Sequence, residues 1–543
     1  MTIGTQLRRA TLENHYDTIV IGSGIGGLAT AVCLAKAGHK VLVLERHYTA
    51  GGFTHTYERK GYEWDVGVHY IGDVHREGST LRRVFDYISD RRIQWAEMDD
   101  VYDRIYIGSE SFDYVKGEEA FRERMIQAFP EEKAAIVEYL KLIKQANRSS
   151  SSYFVEHALP SWLANILHKK LTSGFLEYAS QTTEEVLLRL TKNRKLIAVL
   201  TGQWGDYGMP PSQSSFAIHA MVAKHYLNGA AYPVGGSASI ALELNAVLRQ
   251  HGAQLITSAD VQSIVTEGNK ATGVQLADGR VIHARNIISG VGVINTFQKL
   301  LPDSCSIKNE YLKHMQAVKP SFAHMCLYIG LKANPRDLGV ATTNLWIYPN
   351  ADHDTNMAQF MPKPGLDFPV VYISFPSSKD PAWARKHPGK GTIEIVVPAP
   401  YQWFEKWKDT KWQKRGPEYK QLKQDITDRL IAILLEKYPQ LKDSIHYTEL
   451  SSPLSTVHFS NYQKGEIYGI NHDPERFQQR WLRTDTPVRN LYLTGQDIVT
   501  CGIGGALSAG VLTAIRVLGP FRGRHLIQLM KPQRRRETAA ASA

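Results

Sequence analysis

The sequence predicts an α/β fold: a dinucleotide-binding domain written in three separated pieces, with an α+β domain and a mostly helical region inserted between them. Three observations carry this expectation. Residues 16–45 read as strand, glycine-rich turn, helix and second strand. Two later stretches, 232–294 and 486–520, each combine apolar strands, paired glycines and a helix. The chain's 543 residues also exceed what one compact core usually supports.

The first strand runs from Tyr16 to Gly22, where Ile19, Val20 and Ile21 are β-formers ending in glycine. A helix follows from Ile25 to Ala37 and stops at Gly38. Val41 to Leu44 form the second strand. Inside this unit Gly22, Gly24 and Gly27 spell G-x-G-x-x-G. Gly22 makes the tight turn, Gly24 lets backbone approach a pyrophosphate, and Gly27 lets the helix pack closely on the strand. Free N–H groups at the helix N-terminus complete the phosphate site. Glu45 ends the second strand, 18 residues beyond Gly27. A carboxylate there accepts hydrogen bonds from ribose hydroxyls and repels a 2′-phosphate, which disfavours NADP. A second glycine pair, Gly51 and Gly52, follows it.

Residues 75–230 show helical periodicity, as in FRERMIQAFPEEKAAIVEYLKLIKQA and TEEVLLRLTKNRKLIAVLTGQW. Next, Gly235 and Gly236 precede a helix with Ile240, Leu244, Val247 and Leu248 on one face. Alternating strands follow, marked off by turns at 267–269 and 278–279. Residues 295–485 mix strands (HMCLYIGL, FPVVYISF, GTIEIVVPAP) with a long helix. Its apolar face is Leu422, Ile426, Leu430, Ile433, Leu434 and Tyr438. Leu491 to Thr494 is a buried strand, broken by Gly495, and a small-residue helix starts near Gly502. The expected division is therefore 1–75, 232–294 and 486–520 as the cofactor domain, 76–231 as a mostly helical lid, 295–485 as the substrate domain, and 521–543 as a basic tail.

The run from Glu45 to the Gly51–Gly52 doublet resembles the large flavoprotein superfamily that includes amine oxidases and phytoene desaturases. The resemblance implies a Rossmann-type FAD-binding domain of the glutathione reductase and amine oxidase kind, with the doublet against the flavin side of the cofactor. It further implies that Val261 touches the adenine through its backbone and that Asp497 meets the ribityl–phosphate part. Gly504 and Gly505 would point the last helix at the isoalloxazine. Gly26, Arg46 and Gly495 complete the candidate FAD set. Four longer motifs, GYEWDVGVHYIG (61–72), HYLNGAAYPVGGSASIA (225–241), GEIYGINHD (465–473) and LTGQDIVTCGIGGAL (493–507), resemble the branch of carotenoid isomerases and retinol saturases. The Gly-Gln-Asp…Cys-Gly form is most similar to the saturases. That branch implies an FAD enzyme that saturates a C=C bond of a polyene lipid, with hydride from flavin N5. Desaturation or cis–trans isomerisation on the same scaffold is one alternative. An amine oxidase and a non-catalytic lipid-binding flavoprotein are others.

Saturating a double bond takes a hydride and a proton. Candidate proton donors in the flavin-facing motifs are His69, Tyr70, His225 and Tyr226. No histidine or cysteine spacing suggests a metal site. Cys33, Cys305, Cys326 and Cys501 are scattered, which suits a reducing compartment. Cys501 reads as a small packing residue near the ring. The net charge of +11 suggests an anionic partner. Nucleic acid is not expected: Trp403 and Trp407 are at helical packing spacing and no recognition motif accompanies them. A membrane surface is the better partner. Trp162, Leu163, Ile166, Leu167, Lys169 and Lys170 fit an interfacial helix, and Arg516, Arg522, Arg524, Lys531, Arg534, Arg535 and Arg536 cluster at the end. No apolar h-region follows Arg8 and Arg9, and the nearest approach to a spanning segment, Gly502 to Leu518, is interrupted by Arg516. The expected location is cytoplasmic or peripheral on the inner face of a membrane. The electron donor is not identified by any motif.

Overall fold

The computed structural model describes residues 2–531. The cofactor domain is built on an eight-stranded sheet. At its centre Gln254–Thr257, Val41–Leu44, His15–Ile21 and Val281–Ser289 lie parallel, and Leu491–Leu493 pairs with the last of these. The three expected pieces of the cofactor domain thus meet in one sheet. Val41–Leu44 is an unbroken apolar run, and Ile19–Ile21 and Ile287–Ile288 are apolar at the ends of their strands, because both faces are covered there.

Helix Ile25–Lys36 covers one face with its first 11 residues all buried. The helix Gly502–Arg522 packs directly on it, and Thr30 Oγ1 donates to Gly510 O at 3.0 Å across the contact. By length and composition this last long helix is apolar enough to cross a bilayer. Here Leu507 and the run from Ala509 to Ala514 are buried in the protein core.

A second sheet of seven strands lies in the order Ile445–Leu450, His324–Leu331, Gly391–Pro398, Val371–Ser374, Asn344–Tyr348, Val101–Ile107, Glu110–Val115. The long helix Gly416–Lys437 supports it through Tyr419, Ile426, Leu430 and Leu434. The final hairpin corrects the expected separation of 76–231 from 295–485. Val101–Ile107 pairs in parallel with Asn344–Tyr348, so the two inserted regions share a sheet. The sequence VYDRIYI is rich in β-branched and aromatic residues, which suits a strand, and burial alternates from Asp103 to Ile107. Apart from a short strand at Trp95–Glu97, which pairs with Ala230–Pro233, the rest of the first insert is mostly helical: Lys133–His157, Ser161–Ala179 and Phe216–Tyr226 pack on one another.

The expected tail also starts with order. Arg524–Met530 is a short helix with Leu526 buried. Arg516 pairs with Asp485 at 3.1 Å, and Arg522 donates to Ala37 O. Arg534, Arg535 and Arg536 lie outside the described residues.

Candidate active site

One cavity of about 730 Å³ runs from the first glycine loop, past the start of helix Gly502–Arg522, into a chamber between the two sheets. All the candidate cofactor residues line it: Gly22, Gly24, Gly26, Gly27, Glu45, Arg46, Gly51, Gly52, Val261, Gly495, Asp497, Gly504 and Gly505. So do His69, Tyr70, His225 and Tyr226.

The glycines explain the shape of the cradle. A Cβ on Gly24 would meet nothing within 4 Å, so this backbone faces open space in the cavity. A Cβ on Gly27 would lie 2.2 Å from Gly22 O, because helix and turn touch there. The Gly51–Gly52 doublet docks on the same loop: Gly51 bridges Gly24, and a Cβ on Gly52 would sit 2.9 Å from Gly24 Cα.

Glu45 is positioned by its neighbours. Its Oε2 accepts from Ser23 N–H at 2.9 Å and from Ser23 Oγ at 2.6 Å, and Oε1 accepts from His47 N–H at 2.7 Å. Oε1 keeps a lone pair for a ribose hydroxyl. Arg46 Nη1 donates to His458 O at 3.1 Å, and its Nε lies 3.8 Å from Asp260. Val261 opens its strand beside a register shift in the hairpin. Asp497 is buried and accepts from Val293 N–H at 2.9 Å and Ile470 N–H at 3.1 Å. Its first job is to clasp two loops at the cavity wall. An open glycine cradle at a helix N-terminus, with a carboxylate one strand away, fits a flavin adenine dinucleotide.

Beyond the cradle the cavity is aromatic. Tyr70 and Tyr226 stack at 4.3 Å, and Trp346 packs on Tyr372 at 4.4 Å. Burial pushes the Tyr70, Tyr226, Tyr372 and Tyr468 hydroxyls well above the usual phenol range, so these rings stay neutral.

The four candidate donors separate by their contacts. His225 Nε2 accepts from Gly72 N–H at 2.8 Å, and burial lowers its ring to about 4. It is neutral, and that nitrogen holds backbone. Tyr226 packs face to face on Tyr70. His69 is also pushed down to about 4 by burial, and its Nδ1 lies 2.8 Å from Glu394 Oε2. Tyr70 alone places its hydroxyl between two carboxyl groups, those of Asp103 and Asp206.

Residues from 25 to 518 match the model of the flavin containing amine oxidoreductase family. The chain belongs to that family. It is an FAD-dependent oxidoreductase, as its cradle suggests. Members similar to this chain include an all-trans-retinol 13,14-reductase of Danio rerio, 35% identical over 93% of this chain and 86% of the relative. A second protein of that organism, named as an inactive all-trans-retinol 13,14-reductase, is 32% identical over the same shares. Among solved structures an oxidoreductase from Methanosarcina mazei superposes with a TM-score of 0.59 at 18% identity, covering 92% of this chain and 99% of its own. That likeness shows the family's fold.

This member carries ionisable groups around the chamber that motif spacing missed: Asp65, Asp103, Asp206, Lys379 and Glu394. Burial raises Asp65 to about 7, Asp103 to about 6 and Glu394 to about 8, and it holds Asp206 well above the carboxylate range. It lowers the Lys379 ammonium to about 7. Lys379 Nζ donates to His69 O at 3.0 Å, to Ser374 Oγ at 2.8 Å and to Asn344 Oδ1. Asp65 accepts from Ser237 N–H and Oγ and from Tyr232. Asp65 lies in a motif that sequence singled out, and the QWGDYG stretch around Asp206 offered a cue: a carboxylate set among aromatic and glycine residues. Cys501 is buried, and its N–H donates to His472 Nε2 at 2.8 Å.

Proposed function

We propose that this flavoprotein saturates a C=C bond of a retinoid-like polyene. The observation that carries the proposal is the aromatic chamber opening directly off the cofactor cradle, with buried proton-bearing side chains along one wall. The 35% identity to a retinol reductase supports it. Because a relative named as inactive is nearly as similar, the chemistry of the chamber must decide.

FAD, when bound, supplies hydride. The chain does the rest. The loop from Gly22 to Gly27 and the doublet Gly51–Gly52 hold the dinucleotide, with Glu45 on its ribose. Tyr226, Tyr372 and Trp346 offer flat neutral faces to a conjugated chain and keep water out. The wall that bears Tyr70 and His69 delivers the proton.

A lipid substrate also needs a way in. Val155 lines the cavity and is 48% exposed, so the cavity meets the surface there. The next helix, Ser161–Ala179, shows Trp162 and Ile166 at 66% and 72% exposure, one turn apart, ahead of Lys169 and Lys170. Apolar anchors beside cations suit an anionic lipid surface. The protein therefore works at the face of a membrane, with electrons arriving from a donor outside the chain.

The test is an anaerobic incubation of FAD-loaded, dithionite-reduced protein with retinoids, carotenoids and unsaturated acyl lipids. A product heavier by two hydrogens from a retinoid is expected. Products of unchanged mass but altered absorption would assign an isomerase instead.

A further inference from the structure

Tyr70 has one hydroxyl proton and faces two carboxyl groups. Its oxygen lies 2.9 Å from Asp103 Oδ2 and 3.1 Å from Asp206 Oδ2. One proton cannot serve two carboxylates, so one of the two carboxyls carries a proton of its own. Their other partners decide which. Asp103 is fully buried and also accepts from Gln203 Nε2 at 2.7 Å and Asn344 Nδ2 at 2.9 Å. Three donors stabilise a carboxylate. Among the described residues the Asp206 side chain has Tyr70 as its sole hydrogen-bond partner. The order of donation is then Asp206 to Tyr70 to Asp103.

Asp206 also stands where the reaction needs it. It lines the cavity, and its backbone oxygen lies 3.6 Å from Cys501 Sγ, at the residue that precedes helix Gly502–Arg522. That places it at the junction of the cofactor cradle and the aromatic chamber.

We propose that Asp206 is the acid of the reduction: its neutral carboxyl, backed by Tyr70 and the Asp103 carboxylate, protonates one carbon of the polyene double bond. The inference rests on the C=C saturation proposed above. One carbon takes hydride from the reduced cofactor and its neighbour takes the Asp206 proton. The π bond breaks, two C–H bonds form, and the cofactor is left oxidised. Asp206 becomes a carboxylate facing Asp103 across Tyr70, and this like-charge pair draws a proton back from water before the next turnover.

The ionisable groups facing Asp206 are Asp103, the phenols of Tyr70, Tyr207, Tyr226, Tyr348, Tyr372 and Tyr468, and the thiol of Cys501. Burial keeps the phenols and the thiol neutral, and Lys379 stands beyond the Tyr70 ring, 5.7 Å from its centre. Asp103 is the negative charge that opposes ionisation of Asp206.

The deciding variant is Asp206→Asn, whose amide N–H takes the place of the acid's O–H without a proton to transfer. Flavin content and melting temperature should stay at wild-type values. Single-turnover saturation of retinol by the reduced holoenzyme should fall by roughly 100-fold or more. Asp206→Glu, which restores an acid, should recover part of it. An infrared difference spectrum, wild type minus Asp206→Asn at neutral pH, should show the C=O stretch of a protonated carboxyl. That band should vanish at lower pH in Asp103→Asn than in wild type. A missing band, or saturation by Asp206→Asn within twofold of wild type, overturns the assignment. Wild-type protein that saturates no polyene overturns the underlying function instead, and the two failures are separable.

Discussion

Gly24 is the residue with most at stake in the cradle, because a side chain there would point into the space reserved for phosphate. The substitution Gly24→Val meets no protein atom within 4 Å at its Cβ, so the fold should tolerate it. Purified Gly24→Val protein should melt within a few degrees of wild type and carry no flavin absorbance; a yellow preparation would refute the assigned loop. Gly27→Ala should behave in the opposite way. Its Cβ would clash with Gly22 O, and such overpacking costs on the order of 1–3 kcal/mol, read as a lower melting temperature. Both glycines were legible in the sequence because a short-range spacing rule governs them. Asp206, Glu394 and Lys379 were not. Their importance comes from burial and from partners more than 30 residues away, such as Asn344 for Lys379, which no local pattern specifies; the QWGDYG stretch hints at Asp206 but not at its partners.

Elements show the same split. The first strand, helix and second strand fell where periodicity placed them, within a residue or so at each end. The hairpin of Val101–Ile107 and Glu110–Val115 was hidden inside a region read for helices. Its β-branched and aromatic residues are legible, but its partner strand, Asn344–Tyr348, is more than 200 residues distant. That pairing has a chemical result, since it presents Asp103 to Tyr70. Helix Ser161–Ala179 makes a further prediction. Replacing both Trp162 and Ile166 by Glu removes exposed apolar anchors, so melting temperature should hold while co-sedimentation with phosphatidylserine vesicles drops. Unchanged sedimentation would remove this helix from the membrane account.

At the scale of the whole molecule, the buried acids shape stability against pH. Glu394 is raised by burial from 4.5 to about 8. The folded protein thus holds a proton that the unfolded chain releases. The stability this contributes is fully present below pH 4.5 and is lost as pH rises through about 8. Asp65, raised to about 7, acts in the same direction. Glu394→Gln should therefore flatten the decline of melting temperature between those limits, measured in a pH series on the holoenzyme. An unaltered slope would mean that Glu394 is ionised in the fold.

The eight-stranded sheet has one more implication, for how the protein is made. Its glycine loop leaves the ribosome long before Leu491–Leu493, Gly495 and Asp497, which complete the same sheet and cavity. A nascent chain therefore cannot close its seat for FAD. Loading must wait until the segment that carries Asp497 has emerged, so a chain halted short of it should take up no flavin.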